Sequence, residues 1–243
     1  MNYIAPVDDP SKHQGRTRAI PYVEGQFVGH VYVPIKIEGA LLSMLREVVQ
    51  SAQATDSGWR SSLDLEDAPA TASKVSMHLS LSRPVPLRPH QRDGLRKEVR
   101  KAAAQNKQFT ASFSQLAILT NDEKTRTFLC AEVGAGHKQF QDLSSSLSSY
   151  IASLRQLPYY SQPRFHISIA WILTPPTPPP LSNSGDGQES NHIDEFLRRT
   201  ATSIGELQQN FSDRLLELGR IDAHSVEVKI GKEVHKWPLA SSP

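Results

Sequence analysis

Residues 75–82 read Val-Ser-Met-His-Leu-Ser-Leu-Ser, and residues 165–173 read Phe-His-Ile-Ser-Ile-Ala-Trp-Ile-Leu. In the first run, Val75, Met77, Leu79 and Leu81 fall on one face of a strand, and Ser76, His78, Ser80 and Ser82 on the other. The second run alternates in the same way. Both carry one tetrapeptide, His78-Leu79-Ser80-Leu81 and His166-Ile167-Ser168-Ile169, each preceded by a large apolar residue, Met77 or Phe165. A lone His-x-Ser means little: with nine histidines in the chain, about one is expected by chance. Requiring aliphatic residues at both intervening positions lowers the expectation below about 0.1, so two copies are roughly a one-in-several-hundred accident.

The pattern carries chemistry. Positions i and i+2 of a strand point to the same side, so each histidine gains a hydroxyl neighbour about 6–7 Å along the chain. The aliphatic residues between them anchor the strand in a core. Two such strands facing each other across a groove would surround a small anion with two imidazoles and two hydroxyls. Imidazole donates or accepts protons near neutral pH, so a pair can hold one neutral base and one protonated acid together. Serine hydroxyls can donate to non-bridging phosphate oxygens. That scheme needs no metal.

Outward from these strands, the order of periodic segments predicts an α+β fold of mainly antiparallel sheet. Residues from Phe27, FVGHVYVPI, read as a strand bounded by Gly25 and Pro34. Leu41, Leu42, Leu45, Val48 and Val49 repeat at helical spacing, and residues 55–73 read as loop. Pro84 and Pro86 are expected to end the first motif strand. A basic helix follows over Gln91–Asn106, then two strand-like runs joined by the turn Asn121-Asp122-Glu123-Lys124. Gly134-Ala135-Gly136-His137-Lys138 lacks the spacing of a phosphate loop and reads as a strand-to-helix turn. Phe140, Leu143, Leu147, Ile151 and Leu154 form the cleanest helical face in the chain. A last helix is predicted over Ile193–Leu218, followed by two short strands.

Residues 1–15 read as a loose tail and residues 16–243 as one domain, interrupted at 174–192 by a Pro/Ser/Gly-rich insertion expected to be flexible. A hydrophobic content of 38% with 21% charge is lean but sufficient for a core. No apolar run reaches the ~18 residues of a membrane span. The single cysteine, Cys130, excludes an internal disulfide framework and a cysteine-rich zinc site. A soluble intracellular protein is the expectation. The net charge of +2 argues, taken alone, against a dedicated nucleic-acid binder. From Lys74 to Arg126, however, eleven Lys/Arg stand against four Asp/Glu, a local excess of seven positive charges. That local excess leaves a nucleic-acid partner open despite the near-neutral total.

Two His-φ-Ser-φ motifs about 90 residues apart, each on a strand, resemble the signature of the 2H phosphoesterases. The run Thr120-Asn121-Asp122-Glu123-Lys124-Thr125-Arg126-Thr127-Phe128, the later Glu132-Val133 and Gly136-His137, and Tyr160 to Trp171 (YSQPRFHISIAW) narrow the resemblance. So do Glu24-Gly25 and His30-Val31-Tyr32-Val33-Pro34. Over roughly Arg16 to Leu239 the chain resembles the U6 small nuclear RNA phosphodiesterase family.

That resemblance implies a bilobal, pseudo-two-fold α+β fold, two mainly antiparallel sheets flanked by helices, with the active site in a central cleft. It implies a monomeric, nuclear 3′→5′ exoribonuclease acting on the single-stranded 3′ end of U6 RNA and trimming its oligouridine tail. No cofactor, DNA or membrane is involved. The ribose 2′-hydroxyl attacks the adjacent phosphate, expels a 5′-oxygen and leaves a 2′,3′-cyclic phosphate, which some relatives open further. His78 and His166 match the catalytic pair; the reading leans to His78 as base and His166 as acid, while the pseudo-symmetry of the two motifs leaves that assignment open. Ser80 and Ser168 match the phosphate-binding hydroxyls. Tyr160 matches an aromatic on which a base stacks, and Leu79, Asp122, Gln162 and Arg164 complete the nucleotide contacts. The Pro-rich insertion departs from the family and reads as a lineage-specific loop.

Other readings stand beside these. A 2H enzyme acting only on small 2′,3′-cyclic nucleotides has the same motifs but not the TNDEKTRTF run. A non-catalytic RNA-binding splicing factor has no use for two imidazoles. His30 sits in a strand and reads as a packing residue. The sequon Asn210-Phe211-Ser212 lies in a predicted helix and reads as idle.

Overall fold

Alternation builds the first sheet. In β1 (Phe27–Glu38) the side chains of Val31, Val33, Ile35 and Ile37 are fully buried, while His30, Tyr32 and Lys36 point to the open face. The computed structural model describes residues 23–63, 73–175 and 190–241. On one side of β1 lies β3 (Lys74–Ser80), which pairs antiparallel with Pro34 opposite His78 and Tyr32 opposite Ser80. On the other lies β9 (Ser225–Ile230), with His30 opposite Lys229 and Tyr32 opposite Glu227. β10 (Glu233–Pro238) extends the sheet beyond β9, and β4 (Val85–Leu87) pairs with the first residues of β1.

The second sheet has the order β2 (Arg60–Ser61), β7 (His166–Leu173), β6 (Arg126–Val133), β5 (Phe109–Thr120) and β8 (Arg220–Ala223), again antiparallel. Asn121 makes the β5–β6 turn. Its side-chain oxygen accepts from the Thr125 and Arg126 amides, both at 2.9 Å, and Lys124 takes the left-handed conformation. Across β6–β7, Glu132 lies opposite His166 and Cys130 opposite Ser168.

Four helices cover the sheets. α1 (Gly39–Thr55) buries Leu41, Leu42, Leu45, Val48 and Val49, and α2 (Arg92–Gln105) buries Leu95 and Val99. α3 (His137–Ser153) buries Phe140, Leu143, Leu147 and Ile151. α4 (Ser190–Leu218) packs on β5 and α1. Buried residues of both sheets and all four helices belong to one contiguous hydrophobic cluster. Among the described residues, no helix is long and apolar enough to cross a membrane.

Several boundaries differ from the sequence reading. Pro34 lies inside β1 rather than ending it. Val31 accepts a bond from the Leu81 amide, so odd-numbered residues of β1 bond β3, and the nitrogen of Pro34 faces the other side. There the pairing with β9 has ended at Tyr32, so the missing N–H breaks no ladder bond. Pro86 likewise sits within β4, at the sheet edge. The short strands β2, β4 and β8 carry too few residues to show a period. α4 starts at Ser190, inside the stretch expected to be loop; the rest of that insertion from residue 176, the 1–15 tail and residues 64–72 lie outside the described residues.

Gly136 opens α3 with φ +90°, and a Cβ there would lie 2.4 Å from the Ala111 Cβ. Gly136→Ala is therefore expected to cost ~1–3 kcal/mol through strain and overpacking. Gly205 in α4 has open space around it, so Gly205→Ala should add ~0.5–1 kcal/mol. Urea unfolding of the two variants checks this, and equal midpoints would contradict the account.

Candidate active site

β3 and β7 pack against one another where the two sheets meet. Each turns its aliphatic residues inward and its His and Ser toward the same groove, so the two motifs become one site. The imidazoles lie within electrostatic reach. The His78 ring is held below the ordinary histidine range first by lost solvation, then by the charges of His166 and Lys229.

The two histidines have different surroundings. His166 places Nδ1 2.6 Å from the Arg164 carbonyl oxygen. An acceptor there fixes the proton on Nδ1 and leaves Nε2 for the groove. Lost solvation also lowers the His166 pKa, but the Arg164 carbonyl and the Glu132 carboxylate both oppose that shift. Glu132 is buried, and it accepts two bonds from Arg164, at 2.6 and 2.7 Å, and one from Gln115 at 2.8 Å. These bonds hold its carboxyl below the usual carboxylate range. The Ser168 hydroxyl lies 3.6 Å from the Cys130 sulfur. Burial pushes that thiol up to about 12, so it stays neutral.

On the β3 side, His30 Nε2 lies 3.0 Å from Ser80 Oγ. The His30 ring meets His78 edge-on at 5.4 Å, and the Tyr32 ring meets it at 5.8 Å. Burial, reinforced by His78 and Lys229, holds His30 down at about 4, so it is neutral at physiological pH. His30, read from the sequence as a packing residue, is also the partner of a motif hydroxyl. Beside it, an open cavity of about 250 Å³ is lined by His30, Tyr32, Ser76, His78, Glu227 and Lys229.

On the β7 side, the Tyr160 hydroxyl donates to Asp122, 3.2 Å from each carboxylate oxygen. Arg83 forms an ion pair with Asp122 and lays its guanidinium 4.0 Å over the Tyr160 ring. Arg83 thus covers one ring face, the Tyr159 ring meets Tyr160 edge-on at 5.0 Å, and Tyr160 keeps 42% of its surface exposed. Tyr159 stacks on the fully buried Phe165 behind it, which fixes the segment leading into β7.

Of the residues singled out from sequence, His78, Ser80, His166 and Ser168 thus come to one groove, flanked by Tyr160 and Asp122. Gln162 is exposed in the segment before β7. The Arg164 guanidinium is held by Glu132, and the Leu79 side chain is fully buried, leaving only its main chain for a ligand. Arg83, Glu227 and Lys229 were not among them, and His30, Tyr32 and Glu132, quoted from the sequence, were not assigned to the site. The same two-residue period that marks the motifs also runs through His30–Tyr32 and Glu227–Lys229. Their convergence depends on β1–β9 pairing over some 200 residues of chain, which local pattern does not show. Among the described residues, no group of three or more His, Cys, Asp or Glu is placed to hold a metal ion.

Comparison with known proteins agrees with this architecture. The family model HVSL, described as "Uncharacterised conserved protein", matches residues 2–238. The U6 snRNA phosphodiesterase 1 of Homo sapiens is 34% identical over 237 residues, covering 96% of this chain and 77% of the relative. That of Bos taurus is 34% identical over 168 residues, or 69% of this chain, and the match spans 59% of the relative's length. The structure of Kluyveromyces marxianus Usb1 with uridine monophosphate has the same fold, with a TM-score of 0.64 at 14% identity over 87% of this chain and 98% of that one. Matched by a family model over nearly all its length and by the human protein over 96% of it, the chain belongs to the U6 snRNA phosphodiesterase 1 family.

Proposed function

We propose that this protein is a 3′→5′ exoribonuclease that trims the oligouridine tail of U6 snRNA in the nucleus. The observation that carries the reading is the meeting of two His-φ-Ser strands in one groove, in a chain whose relatives are named for phosphodiesterase action on that RNA. The scissile phosphate sits between the imidazoles. His78 takes the proton from the 2′-hydroxyl of the upstream ribose. The 2′-oxygen bonds to phosphorus, the bond from phosphorus to the 5′-oxygen breaks, and His166 protonates that departing oxygen. Ser80 and Ser168 donate to the non-bridging oxygens as charge builds on them. The products are a 2′,3′-cyclic phosphate on the RNA and a released nucleoside with a free 5′-hydroxyl.

The surroundings support this division of roles. Lys229 disfavours a proton on His78, which suits a base. Glu132 and the Arg164 carbonyl favour a proton on His166, which suits an acid. With His30 neutral, its Nε2–H can donate to Ser80 Oγ, leaving the Ser80 proton for phosphate. Tyr160, partly exposed beside the groove, stacks on the base of the departing nucleotide, a contact worth ~1–3 kcal/mol.

Incubation of an oligouridine-tailed RNA with the protein in excess chelator, followed by mass analysis of the new 3′ ends, tests the reading. The expected result is stepwise shortening with a cyclic-phosphate mass. A 2′-deoxy sugar before the scissile bond should block cleavage there, and cleavage across it would reject the nucleophile. Substituting His78→Ala or His166→Ala should each lower kcat by ~10²–10⁴-fold. Turnover of a cyclic mononucleotide with none of the RNA would favour a small-molecule cyclic phosphodiesterase instead.

The pH profile follows from the two shifts. kcat/KM requires neutral His78 and protonated His166 in the free enzyme, and both pKa values lie below 6.5. Activity therefore falls on the acid side as His78 gains a proton and on the alkaline side as His166 loses one. The kcat/KM optimum should lie below pH 6.5. Bound phosphate raises both values, so the kcat optimum should lie at higher pH. A kcat/KM optimum near pH 8 would contradict the assigned pair.

A further inference from the structure

The groove is flanked on both sides by the same kind of cluster. On the β7 flank, the Tyr160 hydroxyl donates to Asp122, and Arg83 pairs with that carboxylate. On the β3 flank, the Tyr32 hydroxyl hydrogen-bonds Glu227, and Lys236 lies 3.4 Å from the same carboxylate. That bond and lost solvation hold the Tyr32 phenol well above its ordinary range, so it stays protonated. Only the second cluster opens into the cavity of about 250 Å³ beside His78, and that cavity has one further cation, Lys229, on its exposed lip. No ion pair to Lys229 occurs among the described residues, although its charge reaches both His30 and His78.

We propose that this cavity is a second nucleotide subsite, holding the nucleotide that keeps the cyclic phosphate, with Lys229 paired to the phosphate on its 5′ side. The inference rests on the reaction proposed above. If His78 takes the proton of the 2′-hydroxyl, the ribose bearing that hydroxyl must lie on the His78 side of the scissile phosphate. The departing nucleotide, protonated by His166, then lies on the Tyr160 side. The RNA strand must leave the upstream ribose through its 5′ phosphate, and the cavity beside His78 ends at an ammonium group. An ammonium without a carboxylate partner among the described residues suits a phosphodiester better than a base edge. Tyr32 and Glu227 line the wall between, where the phenol and carboxylate oxygens can accept hydrogen bonds from the sugar and base.

Two short substrates isolate the contact. UpU has only the scissile phosphodiester, whereas pUpU also carries a 5′ phosphate on the retained nucleotide. The unmodified chain should cleave pUpU with a kcat/KM about 5–20-fold above that for UpU, a typical return for one charge-assisted phosphate contact. Lys229→Gln should bring the ratio close to one, chiefly through KM for pUpU. The charge-matched control Lys232→Gln, on the exposed β9–β10 turn, should keep the ratio of the unmodified chain. Equal cleavage of UpU and pUpU by the unmodified chain, or a ratio that survives Lys229→Gln, overturns the subsite while leaving the enzymatic reading intact. Failure to cleave either substrate overturns the enzymatic reading, and the subsite with it.

Discussion

Sliding β3 by one residue against β1 would turn His78 and Ser80 into the core and expel Val75, Met77, Leu79 and Leu81 from it. Each of those apolar side chains contributes about 1.5–3 kcal/mol by being buried. Together they match the order of the whole ~5–15 kcal/mol that keeps a domain folded. The same constraint holds β7, where Phe165, Ile167 and Ile169 are fully buried. The orientation of the imidazoles is therefore fixed by hydrophobic burial on the opposite face of each strand. Everything polar in the groove, from the Glu132–Arg164 pair to the His30–Ser80 bond, depends on that register.

Because the strands are rigid, the supporting residues can act on charge instead of shape. Glu132 lies opposite His166 across a strand pair, and Tyr32 lies opposite Ser80. Cross-strand neighbours sit about 4.5–5.5 Å apart at Cβ, close enough for a charge to matter in a groove that excludes part of the solvent. A buried Glu132 would carry a heavy desolvation cost alone, and three hydrogen bonds from Arg164 and Gln115 offset it. That arrangement explains why the Arg164 guanidinium lies on Glu132.

The sequence made the motif strands legible because their alternation is unbroken and their spacing unusual by chance. The α3 face from Phe140 to Ile151 and the Asn121 turn were legible for similar reasons: a sustained period and a residue whose side chain closes a turn. Pro34 was misleading, because a proline signals a strand end only where its nitrogen faces a partner strand. β2, β4 and β8 have two to four residues each and gain their form from neighbours. His30 and Lys229 belong to the same class of miss. Their meaning lies in β1–β9 pairing, which is set by global topology rather than by nearby residues.

Pseudo-symmetry in the sequence leaves the roles of the histidines open, since the two tetrapeptides are chemically alike. Their neighbours are not alike. A cation, Lys229, reaches His78, and an anion, Glu132, reaches His166. Protonating His78 would place a second positive charge near Lys229, whereas protonating His166 completes a chain of alternating charge through Glu132 to Arg164. The charges beside the two rings therefore act in opposite senses, Lys229 against a proton on His78 and Glu132 in favour of one on His166, where the Arg164 charge opposes it. On the reaction proposed above, a strand entering with its 2′-hydroxyl toward His78 would find the base it needs, and one entering in the opposite direction would meet the acid. The same two charges that divide the proposed chemistry would then set the direction of the RNA.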